Sequence, residues 1–195
     1  MVTEFILASG SAARRMMLQN AGLSPRVIPA DIDEDALKTP GTDPVSLALR
    51  LAEQKAQAVS FAAPGAFVLG GDQTLAFDGG LVSKAPDLAT ARRRLMAMRG
   101  RTHALHSAAA LARDGHVIWS GVDTARMSMR PFSDDFLDAY LAHEGEALLQ
   151  CVGSYRLEGM GSQLFDHIEG DYFTVLGLPL WTTLAELRRA GVLRT

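Results

Sequence analysis

The sequence predicts an α/β fold built on a mixed sheet, and three observations carry that expectation. Short apolar runs, Phe5–Ala8 and Ala66–Leu69, end at polar or glycine residues and read as buried strands. They alternate with longer segments of helical periodicity. Asp114-Gly115 then joins two long strand-like segments, Thr102–Arg113 and His116–Met129, as a favoured two-residue hairpin, so part of the sheet is antiparallel.

Taken in order, Phe5–Ala8 reads as a strand, Ala12–Ala21 as a helix and Arg26–Pro29 as extended chain. An acidic loop follows (Asp31, Asp33, Glu34, Asp35), then a turn-rich stretch from Lys38 to Thr42 with Pro40 and Gly41. Asp43 can cap a helix that has Pro44 at its first position and runs to about Ser60. Ala66–Leu69 ends in Gly70-Gly71, and a second short strand, Thr74–Phe77, turns at Asp78-Gly79-Gly80 into a return strand that leads to Lys84. Leu88–Met98 reads as a helix closed by Gly100. After the hairpin, Ser133 can cap a helix with Asp134 and Asp135 in its first turn. Gly153–Gly161 is glycine-rich and irregular, and Pro179 opens a last helix to about Ala190.

The chain has 195 residues, 48% of them apolar, which fits one domain spanning 1–195 with an ordinary core. A net charge of -3 argues against a general nucleic-acid binder. A single cysteine, Cys151, permits no internal disulfide and fits a reducing, cytoplasmic setting. There is no signal-peptide pattern, and no apolar run approaches the roughly 18 residues of a membrane span. The five histidines lack metal-ligand spacing and read as surface or strand residues, Cys151 as a buried structural thiol, and Met127 and Met129 as core. Neither a P-loop nor a G-x-G-x-x-G fingerprint occurs.

Candidate functional residues stand where the pattern breaks. Asp72, with Gln73 beside it, is delivered at the end of an apolar strand, where chemistry sits in open α/β sheets. Lys84 returns on the same hairpin unit, so a carboxylate and an ammonium can meet beside an anionic substrate. Ser9-Gly10-Ser11 ahead of a helix start makes a ready anion site. Arg14 and Arg15 oppose the macrodipole there unless an anion sits between, and Arg14 lies on the apolar stripe with Met17, Leu18 and Ala21. Both arginines can equally be solvated. Lys55 interrupts the buried stripe of its helix, so it either snorkels or meets an anion. Asp31 and Asp33 project the same way from an extended chain, and with Glu34 they either ligate Mg²⁺ or form a solvated loop. Glu158, among glycines that let backbone approach a ligand, either accepts from a nucleobase N–H edge or is a surface residue.

Four segments together resemble one family. LASGSAARRMML resembles the L-A-S-x-S-P-x-R-x-x-L-L signature of the Maf-like nucleoside triphosphate pyrophosphatases. LRLAEQKAQA resembles that family's lysine-bearing helix, and GGDQTLAFDGGLVSK its catalytic segment. CVGSYRLEGMGSQLFDHIEGDYFTVLGLPL resembles its C-terminal signature, so the likeness runs from about residue 4 to residue 182. The resemblance implies an elongated α/β structure of Maf/ITPase-like type, a central mixed sheet flanked by helices, with a cleft between two lobes. It implies that Asp72 is the proton acceptor for the attacking water or a metal ligand, and that Glu34 is an acid near the metal. Arg14, Lys55 and Lys84 would hold the triphosphate, with Ser9 and Ser11 at the loop. Ala13, Gln73 and Glu158 would select the base. The implied cofactor is Mg²⁺ or Mn²⁺, the implied partners a nucleoside triphosphate and a second copy in a homodimer.

Asp72-Gln73 and Arg156-Leu157-Glu158-Gly159 resemble the subgroup acting on 7-methyl-GTP, whereas the dTTP and UTP subgroup usually has Asp-Thr. Four positions depart from the pattern. Ala12 replaces a proline, Ala13 stands where the 7-methyl-GTP group often has an aromatic, Gln54 replaces a glutamate, and Ala85 separates Lys84 from Pro86. The same reaction on dTTP, UTP or CTP is one alternative reading. A nucleotide-binding regulator of septum formation is another.

Overall fold

The computed structural model describes residues 4–39 and 41–194; Pro40, expected in the turn before the second helix, lies outside the described residues. Phe5–Leu7 (β1) is buried throughout. Ala12–Asn20 (α1) starts at Ser11, whose side chain accepts from the Arg14 N–H. Arg26–Val27 (β2) pairs parallel with β1. Pro44–Ala62 (α2) has the expected cap, with Asp43 accepting from the Ser46 N–H and Pro44 in the first turn.

The next strand corrects the sequence reading. Ala66–Leu69 and Thr74–Phe77 were expected as separate strands broken by Gly70-Gly71, but Phe67–Phe77 (β3) is one strand of 11 residues. The glycines serve close approach rather than termination. A Cβ on Gly70 would stand 2.2 Å from the Ala52 carbonyl oxygen and 2.6 Å from the Ala56 nitrogen, both on α2. A Cβ on Gly71 would stand 3.2 Å from the side chain of Arg14. β3 is thus crossed at contact distance by a helix at one glycine and by an arginine at the next.

Gly80–Val82 (β4) returns along the end of β3. Leu88–Met98 (α3), Thr102–Arg113 (β5) and His116–Met129 (β6) match their expected bounds. Asp114 and Gly115 both have positive φ, 50° and 78°, as a two-residue hairpin with the strands' own twist requires. Asp134–Glu144 (α4) is capped by Ser133. Besides short 3-10 turns at Asp35–Leu37, Gly145–Gln150 and Met160–Leu164, a strand and a helix were not expected: Phe165–Glu169 (β7), antiparallel to β6, and the short helix Tyr172–Leu176 (α5), capped by Asp171. Leu180–Arg189 (α6) follows Pro179.

Among the described residues the sheet has seven strands in the order β2-β1-β3-β5-β6-β7, with β4 paired to β3 off that path. β2, β1 and β3 are mutually parallel and the remaining pairs antiparallel, so the sheet is mixed, as predicted. At about 3.3 Å per residue β5 and β6 are each roughly 40 Å long or more. They run through two separate cores. One gathers Phe5, Leu7, Leu18, Leu69 and Leu187 around α1 and α6. The other gathers Leu95, Met127, Leu137, Tyr140 and Leu164 around α3 and α4. On the opposite face of the sheet α2 packs mainly through small residues, with Ala48, Ala52 and Ala56 against Ala108, Ala110 and Ala112 of β5, and through Val59 against Ile6 and Val68. Met127 and Met129 are core, as expected. No helix of the described residues is long and apolar enough to cross a membrane.

Candidate active site

A cavity of about 950 Å³ opens between the two cores. Every residue singled out by the resemblance borders it: Ser9, Ser11, Ala13 and Arg14 from the first loop and helix, Glu34, Lys55, Asp72 and Gln73 at its middle, and Lys84 and Glu158 from the far side. Asp31 and Asp33 do not. Their expected common projection toward a metal is not realised: Asp33 turns back to accept from the Ala36 N–H, and of the acidic loop it is Glu34 and Asp35 that border the cleft.

The centre is an ammonium between two carboxylates. Lys55 Nζ lies 2.5 Å from Asp72 Oδ1 and 2.6 Å from Glu34 Oε1. The close packing of α2 on Gly70 makes this possible, since Lys55 precedes Ala56 and Asp72 follows Gly70 on the same face of β3. Lys55 therefore meets anions rather than snorkelling, and its side chain is only 12% exposed. Burial acts to raise the Glu34 pKa, but the Lys55 hydrogen bond and the charges of Lys55, Lys38 and Lys84 hold it below the usual carboxylate value. The hairpin brings Lys84 to the same cleft as Asp72, but the lysine that contacts Asp72 is Lys55, and Lys84 stands exposed beyond β4.

Arg14 is buried, as its place on the apolar stripe implied. Its Nε donates to the Gly177 carbonyl at 2.7 Å and its Nη1 to Ser9 Oγ at 3.0 Å. Burial depresses its pKa against the upward pull of Asp72 and Glu34. The guanidinium clasps the first loop to the end of α5 and presents a desolvated cation to the cleft. Ser9 Oγ also accepts from the Ser11 N–H, and Ser11 caps α1, so both serines shape the first loop.

Gln73 is oriented without ambiguity. Its amide nitrogen lies 2.9 Å from Ser107 Oγ, 3.1 Å from the Thr174 carbonyl and 3.0 Å from the Val175 carbonyl. Ser107 Oγ spends its own proton on Thr174 O at 2.7 Å, so all three partners accept. The amide N–H₂ is committed to β5 and α5, and Oε1 is the atom left for a ligand.

Three features escaped the sequence reading. Lys38 borders the cleft, paired to Asp35 at 2.9 Å; its place three residues after an acid was the available signal. Cys151, expected in the core, is half-buried on the cleft wall, and burial pushes its thiol pKa up. His103 and His106 are strand residues as expected, but buried ones.

Glu34 and Asp72 are the carboxylates available to a metal. Among the described residues no group of three or more His, Cys, Asp and Glu side chains is placed to hold one. Two hard oxygen donors facing a cationic cleft fit Mg²⁺ or Mn²⁺ of the kind that takes its remaining ligands from substrate phosphates and water.

A family profile described as Maf-like protein matches residues 4–190. The chain is 51% identical to a protein of Mesorhizobium japonicum named 7-methyl-GTP pyrophosphatase, over 99% of each chain. It is equally 51% identical to a protein of Caulobacter vibrioides named nucleoside triphosphate pyrophosphatase, over 98% of each. A protein of Rhizobium etli named 7-methyl-GTP pyrophosphatase is 45% identical over 99% of each chain.

Proposed function

This chain belongs to the Maf-like family and is a nucleoside triphosphate pyrophosphatase, and from that premise we propose that its substrate is 7-methyl-GTP or a closely related modified nucleotide. The observation that carries the reading is Lys55 bridging Asp72 and Glu34 at the centre of a cleft edged by Arg14, Lys38 and Lys84. Binding alone would be served by the cations. The two carboxylates among them would repel a triphosphate, and they make sense as a base and as metal ligands.

Water adds to the α-phosphorus, the bond from that phosphorus to the bridging oxygen breaks, and nucleoside monophosphate and pyrophosphate leave. Asp72 takes the water's proton. Its Oδ1 is held by Lys55, which fixes the carboxylate and leaves Oδ2 to accept the proton. Arg14, Lys55 and Lys84 surround the phosphates, and the buried Arg14 acts most strongly because little water screens it. A divalent cation held by Glu34 and Asp72 would offset the charge of the phosphates and polarise the scissile anhydride.

Two acceptors frame the proposed base selection: Gln73 Oε1 and the Glu158 carboxylate. Both suit the N–H donors on the guanine edge, and a carboxylate suits the positive charge of 7-methylguanine. A pyrimidine offers fewer such donors. We further propose that the active form is a homodimer, which sedimentation velocity measures directly.

Pyrophosphate release with Mg²⁺ or Mn²⁺ across 7-methyl-GTP, GTP, CTP, UTP, dTTP and 5-methyl-UTP tests the assignment. The highest kcat/KM is expected for 7-methyl-GTP, and a preference for UTP or dTTP would overturn the base reading. Asp72→Asn is expected to lower kcat by about 10²- to 10⁴-fold, the usual range for removing a general base, while nucleotide binding persists. Turnover at the parent rate would remove Asp72 from that role.

A further inference from the structure

Glu144 is a carboxylate in an unfavourable place. It is the last residue of α4, where the helix dipole disfavours negative charge, and its side chain is only 5% exposed. The reaction as described does not use it. Among the described residues its hydrogen bonds and ion pair all go to one segment, the stretch that carries Glu158. Glu144 Oε1 accepts from the Met160 N–H at 3.0 Å, and Oε2 pairs with Arg156 Nη1 at 3.3 Å. Arg156 in turn reaches Glu158 Oε1 with its Nε at 3.4 Å. One guanidinium thus spans a buried carboxylate and a cleft carboxylate.

The glycines of this stretch are placed for that arrangement. A Cβ on Gly159 would stand 2.6 Å from Glu144 Oε1, and a Cβ on Gly161 would stand 2.4 Å from the Arg156 carbonyl oxygen. Neither glycine has a positive φ, so space rather than backbone conformation requires them. The segment is wrapped on the Glu144 carboxylate at contact distance, and any side chain at 159 would push that carboxylate away.

We propose that Glu144 is a positioning residue for base selection: through Arg156 it holds Glu158 at the cleft with one carboxylate oxygen engaged and the other free for the base. This rests on the reading of Glu158 as a base-selecting residue. The bidentate-capable guanidinium fixes direction as well as charge. A buried anchor keeps Glu158 from relaxing into solvent, where a half-exposed glutamate would otherwise turn.

The test is the ratio of kcat/KM for 7-methyl-GTP to that for UTP, measured on the full chain with metal for Glu144→Gln, Gly159→Ala and Glu158→Gln. Glu144→Gln keeps the shape and an acceptor for the Met160 N–H but removes the charge facing Arg156. Gly159→Ala displaces the Glu144 carboxylate while leaving every charge in the protein intact. Both are expected to lower the ratio by about tenfold, the equivalent of ~1.4 kcal/mol. The loss should come through KM for 7-methyl-GTP, with kcat and the UTP parameters near those of the parent. Glu158→Gln should lower the ratio at least as far, and adding Glu144→Gln to it should lower it no further. If Glu158→Gln collapses the ratio while the other two leave it unchanged, the positioning role is overturned and the base reading stands. If the Glu144 and Gly159 variants lose kcat equally on all substrates, Glu144 is only structural and the proposal fails. If Glu158→Gln leaves the ratio unchanged, the base reading fails and the proposal with it.

Discussion

Burial decides the state of individual side chains here, and His103 shows it most directly. It lies within β5, 3% exposed, with Nε2 at 2.6 Å from the Tyr155 hydroxyl and Nδ1 without a partner among the described residues. Desolvation lowers its pKa to about 4. The unfolded chain binds that proton at an ordinary histidine pKa and the folded chain does not, so stability is full above about pH 6.5 and falls as pH drops toward 4. Between pH 7 and pH 5 the loss amounts to roughly 2 kcal/mol. Urea unfolding at the two pH values should show it. His103→Gln, which keeps a polar group for Tyr155 but does not titrate, should remove most of the difference and leave the part due to His106, whose pKa burial also lowers; an equal drop in that variant would place the acid sensitivity elsewhere. Residues of this kind are half legible. Arg14 and Lys55 declared themselves because each charge sat on an apolar stripe, and the structure finds Arg14 buried and Lys55 largely so, both against partners. His103 gave no such signal, since an imidazole in an alternating strand fits either face. Glu144 gave only a faint one, an acid at a helix C-terminus, because its partners lie 12 and 16 residues further along.

Elements were legible where their signals are local. The Asp114-Gly115 turn set the bounds of β5 and β6, and Asp43-Pro44 and Ser133 set the starts of α2 and α4. β7 and α5 were missed because each is five residues long, too short for periodicity to show, although Asp171 as a cap and Gly177 in the left-handed region bracket α5 in the sequence. Reading Gly70-Gly71 as a strand end failed for a different reason. A glycine that admits a neighbouring helix looks the same in sequence as one that ends a strand, and only the packing of α2 tells them apart. That packing makes a prediction. Gly70→Ala forces α2 off the sheet against backbone atoms that cannot rotate away, which should cost about 1–3 kcal/mol in urea unfolding, as overpacked cores do. It should also lower kcat/KM on every nucleotide alike, since α2 carries Lys55 away from Asp72. A variant with parent stability and activity would show that α2 is not seated by Gly70.

At the scale of the whole molecule the order of the strands was not legible from local pattern, because β3 pairs with β1 on one side and β5 on the other across long stretches of chain. That order matters for how the two cores are coupled. β3 contributes Leu69 to one core and Leu75 to the other, and β5 contributes Leu111 and Leu105 in the same way. Neither core can lose its strands without opening its neighbour. We infer that the described residues fold as one unit despite having two cores with a cleft between them. Both tryptophans, Trp119 and Trp181, lie on the α6 side, so their fluorescence reports that half, whereas far-UV circular dichroism averages over the chain. The two signals should trace a single urea transition with the same midpoint. A non-hydrolysable 7-methyl-GTP analogue at about 100 times its Kd should then move both by about 2.7 kcal/mol, because the cleft it fills is walled by both halves. Separate midpoints, or a shift seen by tryptophan alone, would show that the halves unfold independently. The shared strands would then be a hinge between two domains rather than the spine of one.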